Sequence, residues 1–243
     1  MAQRLLLIRH AQTAHNAQNR YLGWIDPPLD ATGWQQAEAL AKHLRSRYRL
    51  DRLYASPLLR AQQTAAVIAS ASGLSVQTEP NLKELCFGDV EGLTLEEARQ
   101  CFPQLLTAWE AVGDITFAYP GGERLVDFFW RIRQAILATL AKPEGTLAVV
   151  THGGVIAAYL AHAIDDSPLR WLEYRVDNAS ITELEIKGRR SRLVRLNDTS
   201  FLPEAGGVVA PHPHLTEPSS PSLPFHWRQG SVQHSGQRPQ RSG

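Results

Sequence analysis

Leu5-Leu6-Leu7-Ile8-Arg9-His10-Ala11-Gln12-Thr13 decides how the rest of the chain is read, because an apolar strand ends there on an Arg-His pair. Far downstream a second apolar run, Leu147-Ala148-Val149-Val150-Thr151, ends on His152-Gly153-Gly154. Two buried strands that each deliver a histidine at the C-terminal edge are where an open α/β sheet places its chemistry. A histidine beside an arginine at that edge combines a nucleophile with an anion clamp, and the anion most often held this way is a phosphate.

Around these two strands the chain alternates. Short runs rich in Leu, Ile and Val predict strands at 4–9, 51–55, 74–78, 146–151, 176–186 and 191–196. Helical patterns fall between them at 31–47, 57–72, 94–101, 103–112, 122–141 and 153–163. Ala37, Leu40, Ala41 and Leu44 repeat at helical spacing, with Asp26-Pro27-Pro28 as a turn and Thr32-Gly33 as the helix entry. The alternation predicts an α/β fold: a mostly parallel open sheet with helices on both faces and a small helical cap at about 93–122. The last two strands, split by Lys187-Gly188-Arg189-Arg190, predict an edge hairpin.

Composition bounds the function. The 243 residues are 43% apolar, enough for one large core or a core with a small cap. A net charge of +1 with no basic block predicts no nucleic-acid partner and no membrane-surface partner. Cys86 and Cys101 are the only cysteines, too few for a disulfide framework, so a reducing compartment is expected. The first apolar run reaches a charge at Arg9 and is too short for a signal segment or a membrane span, so the expected location is cytoplasmic. From Pro203 to Gly243 the chain turns Pro-, Ser-, Gly- and His-rich. It lacks the apolar surface to offset its ordering entropy, which predicts a folded domain over 1–202 and a flexible tail over 203–243. Phe225 and Trp227 could dock locally, and His212 and His214, set between prolines, suggest disordered sequence rather than a metal site.

Four groups of residues carry the candidate chemistry. A neutral His10 imidazole can attack phosphorus directly, splitting one hard step into two, if its other ring nitrogen is held by a backbone carbonyl. Arg9 can bind phosphoryl oxygens bidentately; the bland alternative is a polar pair that merely closes a strand. In Ser56-Pro57-Leu58-Leu59-Arg60, Pro57 suits a first helical position and Ser56 a cap, which puts Arg60 on the first turn, where an anion is favoured. His152 and the helix-start N–H groups after it can stabilise charge on a transferring phosphoryl group. Expelling an alkoxide needs a proton donor, and Glu84, between Leu82 and Leu85, suits partial burial; Asp89 and Glu91 are rivals that suit capping or solvent.

With these residues in view, the chain resembles the histidine phosphatase superfamily, also called phosphoglycerate mutase-like, over roughly residues 4–200. The resemblance rests on ordered blocks: Leu7-Ile8-Arg9-His10-Ala11-Gln12-Thr13 with Asn16 and Arg20; Gly23-Trp24-Ile25-Asp26-Pro27-Pro28-Leu29; Ser56-Pro57-Leu58 with Arg60-Ala61 and Gln63-Thr64; Glu84-Leu85-Cys86-Phe87-Gly88 with Glu91-Gly92; Pro120-Gly121-Gly122-Glu123; and Thr151-His152-Gly153-Gly154. It implies that His10 is the phosphorylated nucleophile and Glu84 the proton donor. Arg9, Arg60 and His152 would form the phosphate pocket, assisted by Asn16 and the Gly153 N–H, with Arg20 and Gly23 near the rest of the substrate. It also implies no metal and no organic cofactor. Two positions depart from the family pattern: Ala11 stands where glycine is usual, which requires a negative φ, and Arg124 replaces the serine after Gly-Gly-Glu.

Three activities fit such a chain. Phe87-Gly88-Asp89-Val90-Glu91-Gly92 is similar to the phosphatase branch, which includes α-ribazole phosphatase and fructose-2,6-bisphosphatase-like enzymes, and points to hydrolysis of a small-molecule phosphomonoester, α-ribazole phosphate first and a broad range of esters next; a monomer or homodimer is expected. A phosphoglycerate mutase would need extra cations to retain its intermediate, and the short stretch 93–122 holds only Arg99. A non-catalytic phospho-ligand module would have lost His10, Glu84 or His152, and all three are present. Phe102, Leu105, Trp109, Val112, Ile115, Phe117 and Tyr119 either meet an apolar leaving group or simply pack the cap onto the domain.

Overall fold

The structure is a computed structural model and describes residues 3–104, 114–141, 145–188 and 190–203. The strands are β1 (Gln3–Arg9), β2 (Arg52–Ala55), β3 (Val76–Thr78), β4 (Thr146–Thr151), β5 (Ile181–Lys187) and β6 (Arg190–Asp198), joined in one open sheet of order β3-β2-β4-β1-β5-β6. β1 to β4 run parallel, while β5 lies antiparallel to β1 and forms the edge hairpin with β6. In the β1–β4 register Arg9 stands opposite Thr151. The residues that follow each strand, His10 and His152, therefore leave the sheet side by side.

Alternation along the strands builds a core on each face. Leu5, Leu7, Leu147 and Val149 meet Phe128, Ile132 and Ile136 of α5 (Leu125–Thr139) and Val155, Ile156 and Leu160 of α6 (Gly153–Ala163). Leu6, Ile8, Ala148 and Val150 meet Ala37, Leu40 and Leu44 of α2 (Ala31–Arg47) and Ile68 of α3 (Leu59–Ser72). Both central strands are thus covered on both sides, which explains why they read as unbroken apolar runs. Among the described residues, the α-helices α1 (Ala14–Ala17) and α4 (Leu95–Cys101) are short and each opens on a capping box, from Thr13 and Thr94. Phe201 and Leu202 pack against the α2 side, with the Phe201 ring stacked 4.4 Å from His43.

Several boundaries differ from the sequence-based expectation. The strand expected from 176 begins at Ile181, because the preceding residues turn back to serve the end of β1. Ala179 adopts a φ of 56°, its N–H reaches the carbonyls of Arg9 and His10, and Ser180 N–H reaches Asp177 O. Helix α2 is capped by Asp30, whose carboxylate accepts from Gly33 N at 2.7 Å, rather than entered at Thr32-Gly33. Helix α3 starts at Leu59 and has no side-chain cap, so Ser56 does not cap it. The expected helix 122–141 occupies Leu125–Thr139.

Within the cap, Tyr119 is buried and makes edge contacts with Tyr21, Phe87 and Phe117, so it packs the cap onto the domain. Phe102 and Phe117 also lie against the core. Nearly all of the expected helix 103–112, with Leu105, Trp109 and Val112, lies outside the described residues. So does the tail beyond Pro203, including His212, His214, Phe225 and Trp227. No helix among the described residues is long and apolar enough to cross a membrane.

Candidate active site

The ends of β1 and β4 bring Arg9, His10 and His152 together, and the start of α3 adds Arg60; all four are buried. The His10 and His152 rings meet edge to face with centroids 5.2 Å apart. His10 Nδ1 lies 2.8 Å from Ala11 O, which makes it the donor and leaves the lone pair on Nε2. Arg60 Nε–H points at that Nε2 from 3.2 Å. Burial, reinforced by the Arg60 and Arg9 charges, holds the His10 pKa well below its ordinary 6.5, so the ring is neutral near pH 7. Ala11 keeps a negative φ, as its side chain requires, and its N–H is bound by Thr64 Oγ1 at 3.1 Å.

Arg60 is held by backbone carbonyls. Its Nη2 donates to Gly23 O at 2.7 Å and its Nη1 to Ile25 O at 2.9 Å, with Asp26 Oδ1 3.7 Å away. Burial lowers its pKa to about 10, which still leaves it charged near pH 7. Gly23 therefore supports the arginine through its carbonyl, and a Cβ there would overlap the Glu91 carboxylate. Glu91 accepts from Trp24 N at 2.8 Å, Ile25 N at 2.6 Å and Phe87 N at 3.0 Å, so it anchors the loop that grips Arg60 rather than sitting in solvent. Arg9 Nη1 donates to Val176 O at 2.6 Å.

Glu84 reaches the start of α6, two residues after His152. Its Oε2 accepts from Gly154 N at 2.9 Å and its Oε1 from Leu85 N at 2.9 Å. Those N–H groups and the two arginines favour the anion, but burial outweighs them and raises the Glu84 pKa. The two glycines at the start of α6 make the convergence possible. A Cβ on Gly154 would overlap Glu84 Oε1, and one on Gly153 would press 3.4 Å from Arg9 Nε. His152 Nε2 lies 2.7 Å from Ser56 Oγ. Burial and the neighbouring Arg60, His10 and Arg9 hold the His152 pKa well below 6.5.

Asn16 serves its own capping box with Thr13, and its Oδ1 lies 3.3 Å from Asn178 Nδ2, which also donates to His10 O at 3.0 Å. Arg20 binds Gln18, Gly92 O and Glu97 on α4, a lateral tie that joins the loop after α1 to α4. Asp89 is exposed beside Gly121. Arg124 is exposed and pairs with Asp127 at the start of α5.

Arg131 of α5 carried no signal in the sequence. Its guanidinium holds both Glu123 oxygens at 2.6 and 2.8 Å and the carbonyls of Asn81, Lys83 and Glu84. A mid-helix arginine reads as surface until the chain that it braces is known. Asn178 was likewise absorbed into an expected strand. Two arginines and two neutral imidazoles make a buried cationic recess suited to an oxyanion. Among the described residues, no three His, Cys, Asp or Glu side chains gather where a metal ion could be held.

Residues 5–199 match the family model described as histidine phosphatase superfamily (branch 1). A bifunctional protein of Mycobacterium tuberculosis is 36% identical over 201 residues, 82% of this chain but 55% of its own length; the chain thus spans about half of that relative. Phosphoserine phosphatase 1 of Hydrogenobacter thermophilus is 33% identical over 204 residues, 83% of this chain and 95% of the relative. The crystal structure of the α-ribazole phosphatase from Shigella flexneri superposes with a TM-score of 0.71 at 31% identity, covering 80% of this chain and 96% of that one.

Proposed function

The chain belongs to branch 1 of the histidine phosphatase superfamily, and from that premise we propose that it hydrolyses a small-molecule phosphomonoester through a phosphohistidine on His10. Relatives and structural neighbours named as phosphatases support the phosphatase activity. The observation that carries the mechanism is the His10 ring, buried and neutral, with Nδ1 tied to Ala11 O and the Nε2 lone pair directed at the guanidinium of Arg60.

Arg9 and Arg60 hold the phosphoryl oxygens, and His152 faces them from the end of β4. The Gly153 N–H and Asn16 assist, while Gly23 acts through its carbonyl on Arg60, and Arg20 lies toward the leaving group. In the first half-reaction His10 Nε2 bonds to phosphorus as the ester P–O bond breaks. The proton of Glu84 passes to the departing oxygen, releasing the alcohol. In the second, a water oxygen attacks phosphorus and gives its proton to the Glu84 carboxylate. The P–N bond then breaks, returning neutral His10 and free phosphate. The raised Glu84 pKa keeps the acid form available for the first step.

α-Ribazole 5′-phosphate is the first substrate to test, with broad specificity as the alternative. The assay is phosphate release from a panel that also holds phosphoserine, fructose 2,6-bisphosphate and 3-phosphoglycerate, with His10→Ala as the blank. Release that vanishes in His10→Ala is expected. Conversion of 3-phosphoglycerate to 2-phosphoglycerate without release would make the protein a mutase.

A further inference from the structure

Ser56 has a task that helix capping does not describe. It is fully buried, and its backbone is fixed at both ends: its N–H donates to Val150 O at 2.9 Å, and its carbonyl accepts from Gln62 Nε2 at 2.6 Å. Pro57 offers no N–H, so the first backbone donor beyond Ser56 is Leu58 N, which reaches Ser56 Oγ at 3.3 Å. Oγ thus accepts from Leu58, and among the described residues His152 Nε2, 2.7 Å away, is the one acceptor for the hydroxyl proton. A ring that accepts at Nε2 carries its proton on Nδ1. His152 is itself fully buried, and its Nδ1 has no hydrogen-bond partner among the described residues. A buried donor without a partner is costly, and a phosphoryl oxygen beside His10 would relieve that cost.

We propose that Ser56 is a positioning residue: its hydroxyl donates to His152 Nε2 and locks the tautomer that presents Nδ1–H as a donor to the transferring phosphoryl group. The inference rests on the phosphatase reading for its purpose, but the tautomer itself does not depend on it. Without the hydroxyl the ring can place its proton on Nε2, turning a lone pair toward the phosphoryl oxygens. The low His152 pKa agrees, since the device requires a neutral ring.

The decisive readout is the ring 15N shifts of His152 in histidine-labelled protein, assigned by loss of its signals in His152→Asn. In the wild type, signals of a neutral ring protonated at Nδ1 are expected, with that nitrogen moving on addition of inorganic phosphate. A ring protonated at Nε2 would overturn the proposal even if the enzyme is active. Correct signals in a protein that releases no phosphate would leave the tautomer standing and remove the phosphatase reading. Ser56→Ala should redistribute the tautomers and lower kcat by about 10- to 100-fold, comparable to or somewhat smaller than deletion of one oxyanion donor. Ser56→Thr, which keeps the hydroxyl, should restore the Nδ1–H signal and most of the rate. If Ser56→Ala folds and keeps both the signal and the rate, the proposal fails; if it does not fold, the wild-type spectrum decides.

Discussion

His10 and Glu84 place opposite demands on pH. Attack needs the unprotonated ring, and burial lowers the His10 pKa, so activity falls only once the pH drops well below 6.5. Expulsion needs the protonated carboxyl, and burial raises the Glu84 pKa, so activity falls as the pH rises through that displaced value. The expected kcat/KM profile on an alkyl phosphate is a bell whose acid limb belongs to His10 and whose alkaline limb belongs to Glu84. Glu84→Gln should erase the alkaline limb and slow poor leaving groups far more than good ones. Equal slowing across a leaving-group series would move the acid role elsewhere. His10→Ala should reduce turnover to the background of the assay, because it removes the Nε2 lone pair that faces Arg60.

At the scale of elements, α5 braces the wall that carries Glu84. Arg131 satisfies the carbonyls of Asn81, Lys83 and Glu84 and forks onto Glu123, with both charged side chains largely buried. Arg131→Met would strand that carboxylate and those carbonyls at a cost of about 3 kcal/mol. It should also lower kcat by loosening the Glu84 backbone. Urea unfolding and steady-state kinetics check both effects, and a variant with wild-type stability would show that water replaces the guanidinium without loss. The positions of α2, α6 and the central strands were legible because spacing and apolar runs dictated them. The bend at 176–180 was not, since it depends on carbonyls at the end of β1 that no local pattern announces.

For the whole molecule, acid is the expected weakness. His10, His43, His152 and His162 all have pKa values lowered by burial, so below 6.5 the unfolded chain binds protons that the folded one resists. Stability should fall between about pH 7 and about pH 5. Glu84 has the opposite sign: its raised pKa favours the protonated folded state and offsets part of the loss. A flat unfolding free energy over that range would contradict the burial of the two site histidines. The composition break at Pro203, together with the packing of Phe201 and Leu202 on α2, leads to a second expectation. A chain ending after Pro203 should keep its melting temperature and its phosphate release within about twofold, and a large loss of either would give residues 204–243 a role in the domain.

By itself the sequence determined the α/β class and two apolar strands that each end on a histidine, and it offered candidate residues whose chemistry suits a phosphate. These follow from periodicity and residue chemistry, which are local. Only the tertiary structure decided what each group faces: that Arg60 points at His10 Nε2, that Glu91 anchors a loop, that Ser56 serves His152, and that Arg131 braces Glu84. Those assignments depend on hydrogen bonds between residues about 40–170 positions apart, as between Ser56 and His152 or Arg9 and Val176. A hydrogen bond has direction, and direction exists only once the chain has folded.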